Sequence, residues 1–140
     1  MTHEEKKAAL EAELAALRKQ VAAELEKTMT EFDLSTRAVA GVLGCSHTLI
    51  HRWCGAFFLP PLKEAEKLAK FIASVQLVAE SWRDIVAGWR DRNEAYEVVK
   101  TVLYSGPFRV ILDRGGNPHD KVKLLTKKTI EAWAKGDKKL

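Results

Sequence analysis

Residues 35–55 read STRAVAGVLGCSHTLIHRWCG, and this stretch decides how the rest of the chain is understood. It predicts two short helices joined by a tight turn. Ser35 suits an N-cap, because its hydroxyl accepts from a backbone N–H that has no intrahelical partner. Val39, Ala40 and Leu43 follow at helical spacing on one apolar face. Gly44 comes where the chain must turn sharply, a place where positive φ favours glycine. Ser46 is placed to cap the second helix. Ile50 and Trp53, three apart, turn that helix's apolar side inward. Ala40 and Gly44 are small where two crossing helices would approach closely.

With Ile50 and Trp53 inward, His47, Thr48, Leu49, His51 and Arg52 are expected to face out. This is a dense set of hydrogen-bonding side chains on a short, rigid rod. A rod of that width fits the major groove of double-stranded DNA, where donors and acceptors reach base edges. Thr48 can serve adenine or thymine, Arg52 can fork to guanine O6 and N7, and Leu49 can pack on a thymine methyl.

On Val39, Ala40, Leu43, Gly44, Cys45, Ser46, Ile50, Trp53 and Pro60, the chain resembles the helix-turn-helix domains of phage repressors, Cro proteins and Xre-type regulators. The resemblance covers residues 17–74. It places Ala40, Gly44 and Ile50 where the family has its small residue, its turn glycine and the branched residue of its second helix. It implies a repressor-like helical bundle, with Ser46 and the outward residues of the second helix on DNA. There are departures. Thr36 stands where the family often has a glutamine that contacts a phosphate; with Arg37 it is the candidate backbone contact here. After the recognition helix the chain reads CGAFF, where the family often has an acidic residue and a glycine.

Length and composition agree with a small water-soluble protein. The chain has 140 residues, 46% hydrophobic and 30% charged, enough for one domain with an appendage. No run approaches the roughly 18 apolar residues of a membrane helix. The start, MTHEEKKAAL, is polar and mixed in charge, unlike a signal peptide. Cys45 and Cys54 read as reduced thiols, which places the protein in the cytoplasm. Charge is unevenly spread. Residues 1–34 carry eight acids against five bases, and residues 35–75 carry five bases against two acids. Residues 76–103 carry five acids against four bases, and residues 104–140 carry nine bases against four acids. A polyanion is drawn to the second and fourth of these segments.

The flanks complete a mostly α fold in three parts: an N-terminal helical extension over 1–16, the DNA-binding domain over 17–78, and a C-terminal region over 79–140. Residues 2–28 read as one long helix rich in Ala, Leu, Glu and Lys. Leu10, Leu14, Leu17 and Val21 recur at the four-three-four spacing of a coiled-coil seam, which suits a homodimer or a fold back onto the C-terminal part. Phe57 and Phe58 are expected to plug the core below the recognition helix. Leu59 before Pro60 is pushed to an extended conformation. The next helix runs over 62–78 with Leu62, Ala65, Leu68, Ala69, Ile72 and Val75 on one face. A helical pattern continues through Val78, Trp82, Ile85 and Trp89, either as one bent helix or as two, and a further helix is expected over 94–103.

At residues 105–107 the period changes. FRVIL reads as a strand, DRGGNPHD as a turn, and KVKLL over 121–125 as the returning strand of a small β-hairpin. Thr126 would then cap a final helix with Ile130 and Trp133 inward. Arg114, Lys121 and Lys123, on and around this hairpin, are candidate contacts to the DNA backbone.

Other chemistry is weighed and declined. Cys45, His47, His51 and Cys54 are residue types that zinc favours. In the helix-turn-helix pattern, however, Cys45 takes a small buried position and points away, and metal ligands on the DNA-facing side would compete with base reading. No metal or cofactor is expected. No enzyme site emerges either. DRGGNP lacks the lysine and context of a phosphate loop, and Asp113, His119 and Asp120 read as a polar hairpin tip. The expected function is sequence-specific DNA binding, as a transcriptional regulator of phage or mobile-element repressor type. Two alternatives stand beside it: an antitoxin that neutralises a protein partner through its C-terminal part, and an architectural factor for recombination or replication.

Overall fold

The structure, a computed structural model, describes residues 2–55, 58–88 and 117–136. Among these, all regular secondary structure is helical, in five helices: α1 (His3–Glu31), α2 (Thr36–Leu43), α3 (His47–Cys54), α4 (Leu62–Gly88) and α5 (Pro118–Ala134). Helix α4 is the hub, packed against α1, α2 and α5, while α2 is held between α3, α4 and α5.

Helix α1 opens with a reciprocal cap. The Glu5 N–H donates to Thr2 Oγ1 and the Thr2 N–H donates to Glu5 Oε2, both at 3.2 Å, so two otherwise unpaired donors are satisfied. Only its second half enters the core, through Val21, Ala22, Leu25, Thr28 and Met29. It stops in a left-handed turn. Asp33 sits at φ 52, the Asp33 N–H donates to the Thr30 carbonyl at 3.3 Å, and the Leu34 N–H donates to the Met29 carbonyl at 2.8 Å. This is the helix stop more often built on glycine; buried Leu34 and Met29 supply its apolar contact.

The turn between α2 and α3 follows the expectation closely. Ser35 Oγ accepts from the Ala38 N–H at 3.1 Å, and Ser46 Oγ accepts from the Thr48 N–H at 3.2 Å. Gly44 lies at φ 72, and the Gly44 and Cys45 N–H groups both donate to the Ala40 carbonyl. The close helix approach, however, is not at Gly44. A methyl group on Gly44 would meet nothing within 4 Å, whereas one on Gly41 would lie 2.9 Å from Ala134 Cβ. Gly44 answers to backbone conformation, and Gly41 answers to the contact of α2 with α5.

Helix α4 is continuous through Val78 to Gly88. Ala65, Leu68, Phe71, Ile72, Val75, Ala79, Trp82 and Val86 form its buried stripe, at the three- and four-residue spacing of one helical face. Leu62, expected on that stripe, is 43% exposed, and Ala69 is also exposed. Fully buried Phe71 is the larger anchor. Trp82 packs within the subunit: its indole N–H donates to Thr129 Oγ1 on α5 at 3.1 Å.

The expected returning strand over 121–125 is instead part of α5, and Thr126 lies inside that helix rather than capping one. The physical reason begins at Asn117. Its side chain accepts from the His119 N–H at 2.9 Å, Pro118 occupies the first turn and Asp120 follows it, all three helix-start features. Val122, Leu125, Thr126 and Ile130 are then buried on one face. Leu124, which strand alternation would bury with Val122, is 39% exposed, while Leu125 is fully buried. The Thr126 hydroxyl donates to the Val122 carbonyl at 2.8 Å, so a polar group sits in the core at little cost. The expected strand over 108–112, the helix over 94–103, Arg114, Phe57 and Trp89 lie outside the described residues.

Candidate nucleic-acid interface

Helix α3 has two unlike sides. Ile50 is fully buried and Trp53 is 3% exposed, so the helix is fixed in rotation about its own axis. His47, Thr48, His51 and Arg52 are exposed on the other side, with Ser46 exposed ahead of them. The Ser46 oxygen is engaged in its cap, but the hydroxyl hydrogen remains available to an acceptor. Leu49 departs from the expectation. It is half-buried and lines a small cleft of about 150 Å³ with Cys45, Trp53, Lys67 and Leu68, so it faces α4 as much as solvent. On α2, Arg37 is exposed and Thr36 is half-buried.

Phe58 also departs from the expectation. It is 61% exposed rather than in the core, while Pro60 of the same link is fully buried. Arg18 of α1 fastens the link: its Nε donates to the Pro60 carbonyl at 2.6 Å and its Nη2 to the Leu59 carbonyl at 3.2 Å. The Arg52 guanidinium carbon lies 5.8 Å from the Phe58 ring centroid, within cation–π range. Thr48, His51, Arg52 and Phe58 together line an open concavity of about 450 Å³.

On α5, Lys121 and Lys123 are half-buried. As neighbours on a strand they would share a face; on a helix they are turned about 200° apart. Lys123 lies on the side of Asp33, in the link into α2. Lys127, one turn further on, donates to Asp33 Oδ2 at 2.7 Å. That hydrogen bond holds the Asp33 carboxyl below the usual carboxylate range, with the charges of Lys127 and Lys123 adding to it. The basic residues that α5 brings beside the start of α2 are therefore Lys123 and Lys127. Lys127 was missed in the sequence because its partner is 94 positions away.

The two thiols point to separate surroundings. Burial pushes the Cys54 thiol up to about 11, with the negative charge of Glu26 adding to it, and Cys54 Sγ lies 3.6 Å from Met29 Sδ. Burial also raises the Cys45 thiol. Both shifts disfavour the thiolate and so make these thiols poorer nucleophiles than a free cysteine. Among the described residues, no three His, Cys, Asp or Glu side chains are grouped to hold a metal ion, and no helix is long and apolar enough to cross a membrane.

No protein-family model matches the chain, and no curated protein or solved structure matches it significantly.

Proposed function

We propose that this chain is a sequence-specific double-stranded DNA-binding protein, acting as a transcriptional regulator of the phage or mobile-element repressor type, with α3 as its recognition helix. The observation that carries the reading is the division of α3. Ile50 and Trp53 lock one face into the core, and His47, Thr48, His51 and Arg52 are exposed on the other. Such a helix can enter a major groove without disturbing the fold. Arg37 and Thr36 on α2, and Lys123 on α5, are the backbone contacts that would set its register. Regulation of transcription rests on the resemblance to repressors, and no catalytic role is proposed.

A homodimer belongs to the same reading. Leu10 is 57% and Leu17 50% exposed, two turns apart on one side of α1, and a second copy laid along that seam would cover both. The same leucines also suit a second reading, in which the partner that covers them is a different protein chain.

Selection of bound sequences from a random DNA pool tests the proposal. A defined site is expected, and an inverted repeat would indicate a symmetric dimer. Arg52→Ala should then weaken binding by about 1–3 kcal/mol and relax preference at one base position. A pool that returns no sequence preference would sink the reading.

A further inference from the structure

We propose that Phe58 is a specificity-determining residue of this face, docking on the 5-methyl group of a thymine beside the base that Arg52 reads. The inference rests on the DNA-binding reading above. Four observations lead to it. The ring is 61% exposed, yet it is presented from a fastened link, two residues from buried Pro60 and next to the Leu59 carbonyl that Arg18 holds. It shares its concavity with Thr48, His51 and Arg52, the outward residues of α3, so whatever α3 faces the ring faces too. Among the described residues no acidic side chain lines that concavity, which suits a polyanion. Finally, the Arg52 guanidinium lies over the ring at 5.8 Å, so the ring restricts where the guanidinium can go.

The chemistry selects the occupant. Base edges in the major groove offer hydrogen-bonding groups and one apolar group, the thymine methyl. An aromatic ring has no donor or acceptor to spend on the former, and it gains by covering the latter. Arg52, held over the ring in the same concavity, is then aimed at the neighbouring base pair, where a guanine would take both arms of its fork. Phe58 therefore has two effects: it reads the methyl directly, and it positions Arg52.

The test uses the full chain and the site returned by the random pool. Each thymine is replaced in turn by deoxyuridine, which lacks only the methyl, and affinity is measured by fluorescence anisotropy. For the parent protein, one replacement should weaken binding about three- to fivefold, the worth of one buried methyl group. It should lie beside the base at which Arg52→Ala relaxes preference. Phe58→Ala should bind the thymine site more weakly than the parent and respond no further to that replacement. Phe58→Leu should keep part of the response. Because the ring is exposed, Phe58→Ala should melt like the parent. If parent and Phe58→Ala respond alike to every replacement, or no thymine adjoins the Arg52 base, the inference falls while sequence-specific binding stands. A variant that changes sedimentation but not DNA affinity would assign the ring to a protein contact, which also overturns it. Absence of any preferred site is a failure of the DNA reading itself.

Discussion

Two helices rest on α2, and they do so in opposite ways. Helix α3 follows directly, through a turn held by Gly44 and the Ser46 cap. It buries Ile50 and Trp53 and leaves one whole side free. Helix α5 arrives from far along the chain. It meets α2 at Gly41 and Ala134, pairs Lys127 with Asp33, and reaches α4 through Trp82 and Thr129. With α5 in place, Arg37 is the one fully exposed residue of α2. Helix α2 is thus nearly enclosed, with Arg37 and the half-buried Thr36 at its start reaching solvent. Helix α5 completes the packing around α2 and α4, and α3 keeps its outer side in solvent.

The largest effects should come from removing the anchor of each helix. Trp53→Ala should lower folding stability by about 3–5 kcal/mol, and Ile130→Ala by about 2–5 kcal/mol, both measured by urea denaturation. Comparable losses in a single transition would show that α5 belongs to the same cooperative core. If Ile130→Ala melts like the parent, α5 is an ornament and the comparison fails. If Trp53→Ala does so, the assigned rotation of α3 is wrong.

The contrast between these helices also explains what could be read in advance. Ser35, Gly44 and Ser46 act on backbone atoms two to four positions away, so their roles were visible in a window of a few residues. Ile50 and Trp53 needed only the helical period. The candidate recognition face was legible for the same reason, except Leu49, whose half-burial depends on α4. The α5 segment reads as a strand because KVKL satisfies a two-residue period over four positions, and the longer stripe through Leu125, Thr126 and Ile130 outweighs it only when read to its end. Asn117 and Pro118 are turn residues by type, but the same pair starts a helix. Gly41 gave no signal at all, because its meaning depends on Ala134. Hydrophobicity alone puts Phe58 inside; its exposure depends on how the link sits beside α3, with Pro60 rather than Phe58 buried.

The two glycines of α2 sharpen the comparison at a smaller scale. Gly41 has ordinary helical backbone but no room, with Ala134 Cβ and the Ala134 carbonyl oxygen at 2.9 and 3.0 Å from an added methyl. Gly44 has room but lies at φ 72. Gly41→Ala should cost about 1–3 kcal/mol by forcing α5 outward, partly offset by better helix propensity. Gly44→Ala should cost about 1–2 kcal/mol through backbone strain. The pair are told apart by Ala134→Gly. Added to Gly41→Ala it removes the methyl–methyl clash and should recover part of the loss, whereas added to Gly44→Ala it should recover none. Equal recovery in both backgrounds would mean that Gly41 is not the contact that seats α5.

The smallest expected effect is at the ion pair of Asp33 and Lys127, whose side chains are 82% and 30% exposed. Pairs so exposed to water contribute little, yet this one has a signature that identifies it. Asp33→Asn is the suitable change, because asparagine tolerates the left-handed backbone at φ 52 and keeps the N–H that closes α1. The hydrogen bond from Lys127 lowers the Asp33 pKa, so whatever the pair contributes is fully present above the ordinary carboxylate pKa. It is lost as pH falls through the depressed folded value. At the alkaline end the same bond raises the Lys127 pKa; the contribution is full below the ordinary lysine value and lost as pH rises through the raised one. The melting temperatures of parent and Asp33→Asn should therefore differ by a small, constant amount across neutral pH and converge at both extremes. Molar salt should shrink the neutral difference, since exposed charges are screened. A difference that persisted in acid would instead assign Asp33 to the backbone turn alone. Helix α5 would then be seated on α2 by shape, through Gly41 and Ala134, with no electrostatic share.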